Sequence, residues 1–211
     1  METIYNWFSS VDPVMAALAA TVFTWLVTAA GASLVFFFKT LNRAVLDIAL
    51  GFTGGVMVAA SVWSLIMPAL DMSHGEGFAK VGPTVIGFVA GALFIFALDK
   101  LIPHIHLNYE KVSEAEGPKT KMNKTLLLVL AITLHNIPEG LAVGVLFGGA
   151  ALGIDGATIG GAIALALAIG IQNFPEGFAV SMPLRRQGMT RGKSFWYGQL
   201  SAIVEPIFGV L

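Results

Sequence analysis

The chain has 211 residues, of which 56% are hydrophobic and only 12% are charged, and its mean hydropathy is +0.79. Because soluble domains carry about 25% charged residues, this composition predicts a membrane protein, and a net charge of −1 gives no basic surface for nucleic acid. The absence of cysteine excludes disulfides, thiolate zinc sites and cysteine nucleophiles, so any metal site must use histidine, carboxylate, amide or methionine side chains.

Six long apolar stretches follow one another along the chain. A helix needs about 20 predominantly apolar residues to cross the hydrocarbon core of a bilayer, and these stretches are far longer than the strands of a membrane barrel. The pattern therefore predicts an all-α polytopic bundle in one transmembrane domain over residues 1–211. The predicted spans are residues 14–38, 45–70, 82–101, 125–147, 156–184 and 194–211.

The basic residues lie almost entirely on one side of these spans. Eleven of the 12 lysines and arginines fall in the first, third and fifth connections or, for Lys100, at the span end beside them, and only Lys80 falls on the opposite side. By the positive-inside rule, the odd-numbered connections are cytoplasmic and the N-terminus is outside, in a multi-pass protein of the cell (inner) membrane. The third connection, residues 102–124, is the only long polar segment, and we predict a mobile cytoplasmic loop there.

Ten of the 13 acidic residues lie in tails, connections or the ends of spans, whereas Glu139, Glu176 and Glu205 lie deeper inside the predicted spans. A buried carboxylate at mid-membrane costs about 2.5 to 3.5 kcal/mol, and no lysine or arginine lies in the same three spans to neutralise it. At about 1.5 Å per helical residue from the nearest cytoplasmic basic residue, the three lie at depths of roughly 22, 14 and 18 Å, and His135 lies at about 16 Å. These four residues therefore share one layer near the middle of the membrane. There, the carboxylates must either be protonated, line a water-filled pathway or bind cations.

The fourth and fifth spans contain two copies of one nine-residue segment. HNIPEGLAV at residues 135–143 and QNFPEGFAV at residues 172–180 are identical at six of nine positions. Because consecutive spans cross the membrane in opposite directions, the copies meet head to tail. This is the arrangement of an inverted repeat with its binding site at mid-membrane.

The spacing within each copy groups potential ligands around one glutamate. The first two residues of a copy lie four and three positions before the glutamate and so share a helix face with it. Two such helices, face to face, can form two adjacent cation sites. The first would use His135 and Gln172, the second Asn136 and Asn173, with Glu139 and Glu176 as bridges between them. Imidazole, carboxylate and amide ligands without thiolate favour borderline divalent ions such as Zn²⁺, Fe²⁺, Mn²⁺ or Co²⁺.

These motifs resemble the ZIP family of divalent metal transporters, most closely its bacterial GufA-like branch. The resemblance is carried by HNIPEG at residues 135–140, QNFPEG at 172–177 and VEP at 204–206, and it extends to GFTGGVMVAASVWSLIMP in the second span and DKLIPHIH after the third. It implies uptake of zinc or related metals into the cytoplasm through a binuclear site between the fourth and fifth helices.

Carried over by position, the resemblance implies two metal sites and an exit site. The first comprises His135, Glu139, Gln172 and Glu176; the second comprises Asn136, Glu139, Asn173, Glu176 and Glu205; the exit site comprises Asp99, His104 and His106. Members of this branch can have Asp where this chain has Asn173, which removes a negative charge from the second site. ZIP members generally have eight spans, so the resemblance also implies that the chain, which stops at Leu211, is either truncated at its C-terminus or completed by another chain. We predict a fragment, which alone would not transport.

The leading hypothesis is a secondary transporter that moves zinc, iron, manganese, cobalt or cadmium ions into the cytoplasm. The alternative is a proton or cation channel or relay that uses the same buried Glu and His residues. An enzyme is not expected, because the chain has no HExxH motif and no nucleophile with a paired base, and the metal is a transported substrate rather than a cofactor. The expected partners are divalent metal ions, the lipid bilayer and a second copy of the chain in a homodimer, without nucleic acid.

Overall fold

The structure is a computed structural model that describes residues 2–38, 42–104, 116–119 and 124–211. Within these residues the fold is all-α, as predicted, and strand-like pairing is limited to one antiparallel bridge between His104 and Glu116. The helices are α1 (Glu2–Ser10), α2 (Pro13–Ala32), α3 (Arg43–Ala60), α4 (Met67–Met72), α5 (Phe78–Leu101), α6 (Lys124–Ala151), α7 (Ile159–Arg186), α8 (Arg191–Leu200) and α9 (Val204–Gly209).

Five helical segments of the described chain are long and apolar enough to cross a membrane. They correspond to the first five predicted spans and comprise Pro13–Phe36, Ala44–Met72, Phe78–Leu101, Thr125–Ala151 and Ile159–Arg186. The second of them joins α3 to α4 through a π-helical turn, Ser61–Ile66. This turn lies directly before Pro68, whose missing N–H interrupts the regular helical bonding.

The sixth predicted span, residues 194–211, is not a single helix. It is divided between α8 and α9 by a turn at residues 201–203. Pro206 has no N–H to donate to the carbonyl of Ala202, and that carbonyl instead accepts from the Glu205 N–H at 3.0 Å, three residues on. The apolar composition of the stretch predicts one continuous span, whereas the structure has two short helices, with Glu205 buried at the start of the second.

The N-terminal end of the first span is fixed by a helix cap and by the preceding helix, α1. Asp12 caps α2, since its carboxylate accepts from the Val14 N–H at 2.9 Å, and Pro13 occupies the first helical position, where no N–H is needed. Before this cap, α1 packs against the bundle through Phe8, whose ring stacks on Phe147 with centroids 5.3 Å apart.

The centre of the molecule is formed by α2, α6, α7 and α9, which approach one another through glycines. A Cβ atom on Gly177 would lie 2.0 Å from the carbonyl oxygen of Thr28 on α2, and one on Gly140 would lie 2.5 Å from the carbonyl oxygen of Glu205 on α9. Such contacts leave room for glycine alone. They hold the helices that carry the repeat and Glu205 at fixed separations.

The predicted loop at residues 102–124 lies mostly outside the described residues. Its mobility therefore stays a prediction. Of its described part, Glu116 pairs with His104 through the backbone, with N–H to carbonyl distances of 2.9 and 3.1 Å. His106, predicted for the exit site, lies outside the described residues.

Candidate metal centre

The two copies of the repeat lie in the middle of α6 and α7, and both helices continue through their prolines, Pro138 and Pro175, without a break. On α6, the Nε2 atom of His135 lies 3.4 Å from the Oε1 atom of Glu139, one helical turn on. From α7, the side-chain amide of Gln172 donates a hydrogen bond to the same Glu139 oxygen. The two copies therefore meet at Glu139.

Glu176 completes this group from the α7 side. One ligand atom each from His135, Glu139 and Glu176 lies within 4.8 Å of the others. Glu176 is only 6% exposed, and the side chain of Glu139 is 11% exposed. We call His135, Glu139, Gln172 and Glu176 the first site; the structure brings all four together, and their role as metal ligands stays a prediction.

The carboxylates of the first site have unused acceptor capacity. Glu139 Oε2 and both carboxylate oxygens of Glu176 are buried without a hydrogen-bond partner among the described residues. Burying a carboxylate that has neither a donor nor a cation is strongly unfavourable. One imidazole, two carboxylates and an amide oxygen form a ligand set suited to a borderline divalent metal, and two carboxylates balance its charge. The residues present therefore fit a divalent cation.

The second predicted set, Asn136, Asn173 and Glu205, is held by hydrogen bonds within the protein. The Asn136 amide donates to the carbonyl of Ser201 at 3.1 Å, and the Asn173 amide donates to both carboxylate oxygens of Glu205, at 2.9 and 3.1 Å. The hydroxyl of Thr24 donates to Glu205 as well. The two amide oxygens of the set remain buried without a partner in the described chain.

A cavity of about 430 Å³ connects the first site to the end of α5. It reaches His135, Glu139 and Gln172 at one end and Asp99 and His104 at the other. Beside the first site, α2, α6 and α7 pack together through a cluster of buried apolar residues, which include Ala20, Val143, Phe147, Leu165 and Ile169. Leu165 and Ile169 of this cluster also line the cavity.

A second group of potential ligands lies at the far end of this cavity. His104 Nε2 is 3.0 Å from Asp99 Oδ1, and the carboxylate of Glu116 brings a third ligand atom within 4.8 Å of these two. We call Asp99, His104 and Glu116 the exit cluster. Asp99 and His104 belong to the exit site predicted from sequence, whereas Glu116 does not.

Two residues of these groups were not predicted from sequence. Thr24 lies in an otherwise apolar helix, where its spacing of three and four residues from Thr21 and Thr28, all buried, is the one pattern that could have indicated a polar face. Glu116 is one of several charged residues in a polar loop, and nothing in the sequence distinguishes it from the others.

Comparisons with known proteins identify the family of the chain. The ZIP zinc transporter family model matches residues 108–211, which contain both copies of the repeat and Glu205. The chain is 40% identical to zinc transporter ZIP11 of Bos taurus, over 94% of this chain and 80% of that protein, and 39% identical to its Homo sapiens counterpart, over 93% and 79%. It is also 36% identical to zinc transporter GufA of Myxococcus xanthus, over 93% of this chain and 76% of that protein. With this identity over nearly its whole length, the chain belongs to the ZIP zinc transporter family.

Proposed function

We propose that this chain is a secondary transporter that carries zinc or a related divalent transition-metal ion into the cytoplasm, with the first site as its binding site. The observation that carries the proposal is the set of three unpartnered carboxylate oxygens beside an imidazole in the middle of two apolar helices. A divalent ion between Glu139 and Glu176 would form an electrically neutral group. Neutralisation removes most of the free-energy penalty of keeping two carboxylates at that depth.

The cavity supplies a route for the ion. By the predicted orientation, the ends of α5 and α6 near the exit cluster face the cytoplasm, so the cavity would connect the first site with the cytoplasmic side. This arrangement corresponds to the inward-open half of an alternating-access cycle. The exit cluster would then receive the ion through His104, Asp99 and Glu116 before release. The asparagines and Glu205 of the second site stay a prediction as ligands.

The membrane setting is part of the same proposal. The protein is placed in the cell (inner) membrane with its N-terminus outside, as the distribution of basic residues predicts. Helix α5 exposes large apolar side chains along most of its length, among them Ile86, Phe88, Leu93 and Phe96, which suits contact with lipid. The homodimer predicted from sequence stays a prediction.

Metal binding and uptake by substituted chains test the proposal. We expect purified protein to bind Zn²⁺ saturably, and cells that express it with all eight spans of the family to take up radioactive zinc; Glu139→Ala and His135→Ala should abolish both. His74→Ala is the matched control, because His74 is 81% exposed and far along the chain from the first site. Normal uptake by well-expressed Glu139→Ala protein would overturn the assignment of the first site.

The proton or cation relay predicted as the alternative makes a different prediction in the same experiment. A relay needs the charges of Glu139 and Glu176 but no stable metal complex. It would show no saturable Zn²⁺ binding in the wild type and therefore none to lose in His135→Ala. The unpartnered oxygens beside the His135 imidazole favour the transporter.

A further inference from the structure

Glu205 differs from the other two buried glutamates in the way its carboxylate is satisfied. Its two oxygens accept from the Asn173 amide at 2.9 and 3.1 Å. The Thr24 hydroxyl lies within hydrogen-bond distance of one of them and of the Thr21 carbonyl, at 2.9 Å from the latter, and shares its single proton between them. In contrast, Glu139 Oε2 and both oxygens of Glu176 have no donor among the described residues. In one layer of the protein, two carboxylates are thus open to a cation and the third is already held by internal donors.

The donors to Glu205 are fixed in place. Thr24 and Asn173 are 0% exposed and Glu205 is 1% exposed, and the three residues come from three different helices, α2, α7 and α9. The Asn173 amide also donates to the backbone carbonyl of Thr24 at 3.2 Å, which ties α7 to α2 at the same point. Behind Glu205, its backbone lies against Gly140 of α6 so closely that a Cβ there would be 2.5 Å away. Glu205 therefore has little freedom to move toward another partner.

The chemistry of Asn173 explains why Glu205 needs no metal. An asparagine amide carries two N–H donors, whereas an ionised aspartate in its place would carry none and would add a second negative charge beside Glu205. Two facing carboxylates require a cation or a proton between them. In this chain the amide of Asn173 and the hydroxyl of Thr24 supply the donors that a cation would otherwise replace.

Without Glu205, the second set has little to offer a transition metal. The amide nitrogen of Asn136 is used by the Ser201 carbonyl and that of Asn173 by Glu205, so two neutral amide oxygens are left. Neutral oxygens suit hard ions better than Zn²⁺, which favours imidazole. The glutamates that a second ion would share are those of the first site.

We propose that Thr24 and Asn173 are positioning residues that hold Glu205 as a hydrogen-bond acceptor, so that this chain carries its metal in the first site alone. We call Thr24, Asn173 and Glu205 the Glu205 brace. The inference rests on the proposed function, since it takes the first site as the place where metal binds. The brace joins α9 to α2 and α7, and Glu205 is not a metal ligand in it.

The number of zinc ions bound per chain tests this proposal. Purified chain is dialysed against buffered Zn²⁺ and its metal content is measured for the wild type, Glu205→Gln, Asn173→Asp and the double variant. We expect Glu205→Gln to bind as many ions as the wild type and Asn173→Asp to bind one more. The additional ion should be lost in the double variant, because it needs the released carboxylate of Glu205. Any zinc bound at the exit cluster is the same in all variants, so it does not affect the difference in zinc content between them.

Two zinc counts would contradict these proposals. If Glu205→Gln binds one ion fewer than the wild type, Glu205 is a ligand and the brace proposal is overturned. If His135→Ala binds as much zinc as the wild type, the proposed first site is wrong. The Glu205 brace can then still be tested by the stability of the metal-free chain.

Thermal unfolding of the metal-free chain tests the contact between Thr24 and Glu205 independently of zinc. Thr24→Val keeps the shape of the side chain but removes its hydroxyl, so it should lower the unfolding temperature, and Thr24→Ser should restore most of the loss. In a Glu205→Leu background, which has no acceptor, Thr24→Val should have a much smaller effect. Equal effects in both backgrounds would contradict the brace, and should Glu205→Leu fail to fold, the zinc count for Glu205→Gln still decides.

Discussion

His135 is the residue at which the two copies of the repeat differ most in chemistry, since Gln172 takes the corresponding place on α7. Both side chains lie beside Glu139: the imidazole of His135 at 3.4 Å, and Gln172 through its amide. An imidazole nitrogen is a preferred ligand of zinc and its neighbours, whereas Mg²⁺ and Ca²⁺ prefer oxygen ligands throughout. The asymmetry of the repeat would thus supply one nitrogen ligand to an otherwise oxygen-based metal site.

Replacing this nitrogen should change metal preference more than it changes folding. We expect His135→Gln to reduce Zn²⁺ affinity by at least about tenfold, the lower end of what metal sites lose when even a supporting residue is changed. Affinity for Mn²⁺, which accepts oxygen ligands more readily, should fall less. Competitive titration of the purified chain with the two metals measures the ratio.

His74→Gln is the matched control for this prediction, because it makes the same chemical change at an exposed position whose nearest charged partner is Asp155, at 3.7 Å. It should leave both affinities unchanged. An equal loss of Zn²⁺ and Mn²⁺ affinity in His135→Gln would show that His135 shapes the site without binding the metal.

At the scale of residues, sequence reasoning found the side chains of the repeat and Glu205, and it missed Thr24 and Glu116. The i,i+4 relation of His135 and Glu139 follows from helix geometry alone, so their contact could be predicted. Thr24 contacts Glu205 across 181 residues of sequence, and a threonine has no metal chemistry that would draw attention to it. Long-range partners of this kind follow from how the helices pack, which a single sequence does not contain.

At the scale of elements, the contact between α2 and α7 depends on Gly31 and Gly177, where each helix lies directly against the backbone of the other. A Cβ on Gly31 would lie 1.9 Å from the carbonyl oxygen of Phe174, and one on Gly177 would lie 2.0 Å from that of Thr28. Because these neighbours are backbone atoms, they cannot rotate away. The two helices must separate if either glycine is replaced.

We therefore expect Gly177→Ala to destabilise the chain by about 1 to 3 kcal/mol or more, which is the range for overpacked interiors. The variant should have a lower unfolding temperature in detergent and a weaker Zn²⁺ affinity, because Glu176 would shift with the helix. Gly160→Ala is the control on the same helix, since a Cβ at Gly160 meets nothing within 4 Å. If both variants unfold at the wild-type temperature, the close approach of α2 and α7 is not essential.

Helix α1 has one apolar face, formed by Ile4, Tyr5, Trp7 and Phe8, and polar residues around the rest of its circumference. Phe8 packs on Phe147, while Ile4, Tyr5 and Trp7 remain about half exposed. Aromatic residues next to a membrane span are typical of the interface between lipid and water. We infer that α1 lies along the outer surface of the bilayer with this face toward lipid.

Spin labels on opposite faces of α1 test this placement. In lipid vesicles, a nitroxide at Ile4→Cys should collide more with oxygen, which concentrates in lipid, and one at Asn6→Cys more with a water-soluble nickel complex. The absence of native cysteine makes each label unique. Equal accessibility of both positions to the nickel complex would mean that α1 projects into water.

Sequence reasoning also has a clear limit at this scale. The first five spans could be predicted because a long apolar stretch has few alternatives in a membrane. The break between α8 and α9 could not be placed from composition, because Ala202, Pro206 and their neighbours are as apolar as a span requires. The missing N–H of Pro206 interrupts the helix, and the effect depends on how α9 then packs against α6.

At the scale of the whole molecule, the helices divide into a packed group and an exposed group. The described part of α7 is buried along most of its length, whereas α3 and α5 contribute few buried residues. The first site and the Glu205 brace both lie within the packed group formed by α2, α6, α7 and α9. The polar groups of both are thus surrounded by helices that hold them at fixed distances.

Orientation is the property of the whole molecule on which the direction of transport depends, and it rests on 11 of 12 basic residues lying on one side of the spans. Because the chain has no cysteine, single substitutions can report each side separately. We expect a membrane-impermeant maleimide to label Ser10→Cys and His74→Cys in intact spheroplasts, and to label Lys119→Cys and Gln187→Cys only after the membrane is permeabilised. All four positions are exposed in the structure, so a difference in labelling reports the membrane and not local burial. The reverse pattern would place the exit cluster outside and turn the inward cavity into an outward one, and labelling of one connection from each pair would contradict the arrangement of the spans.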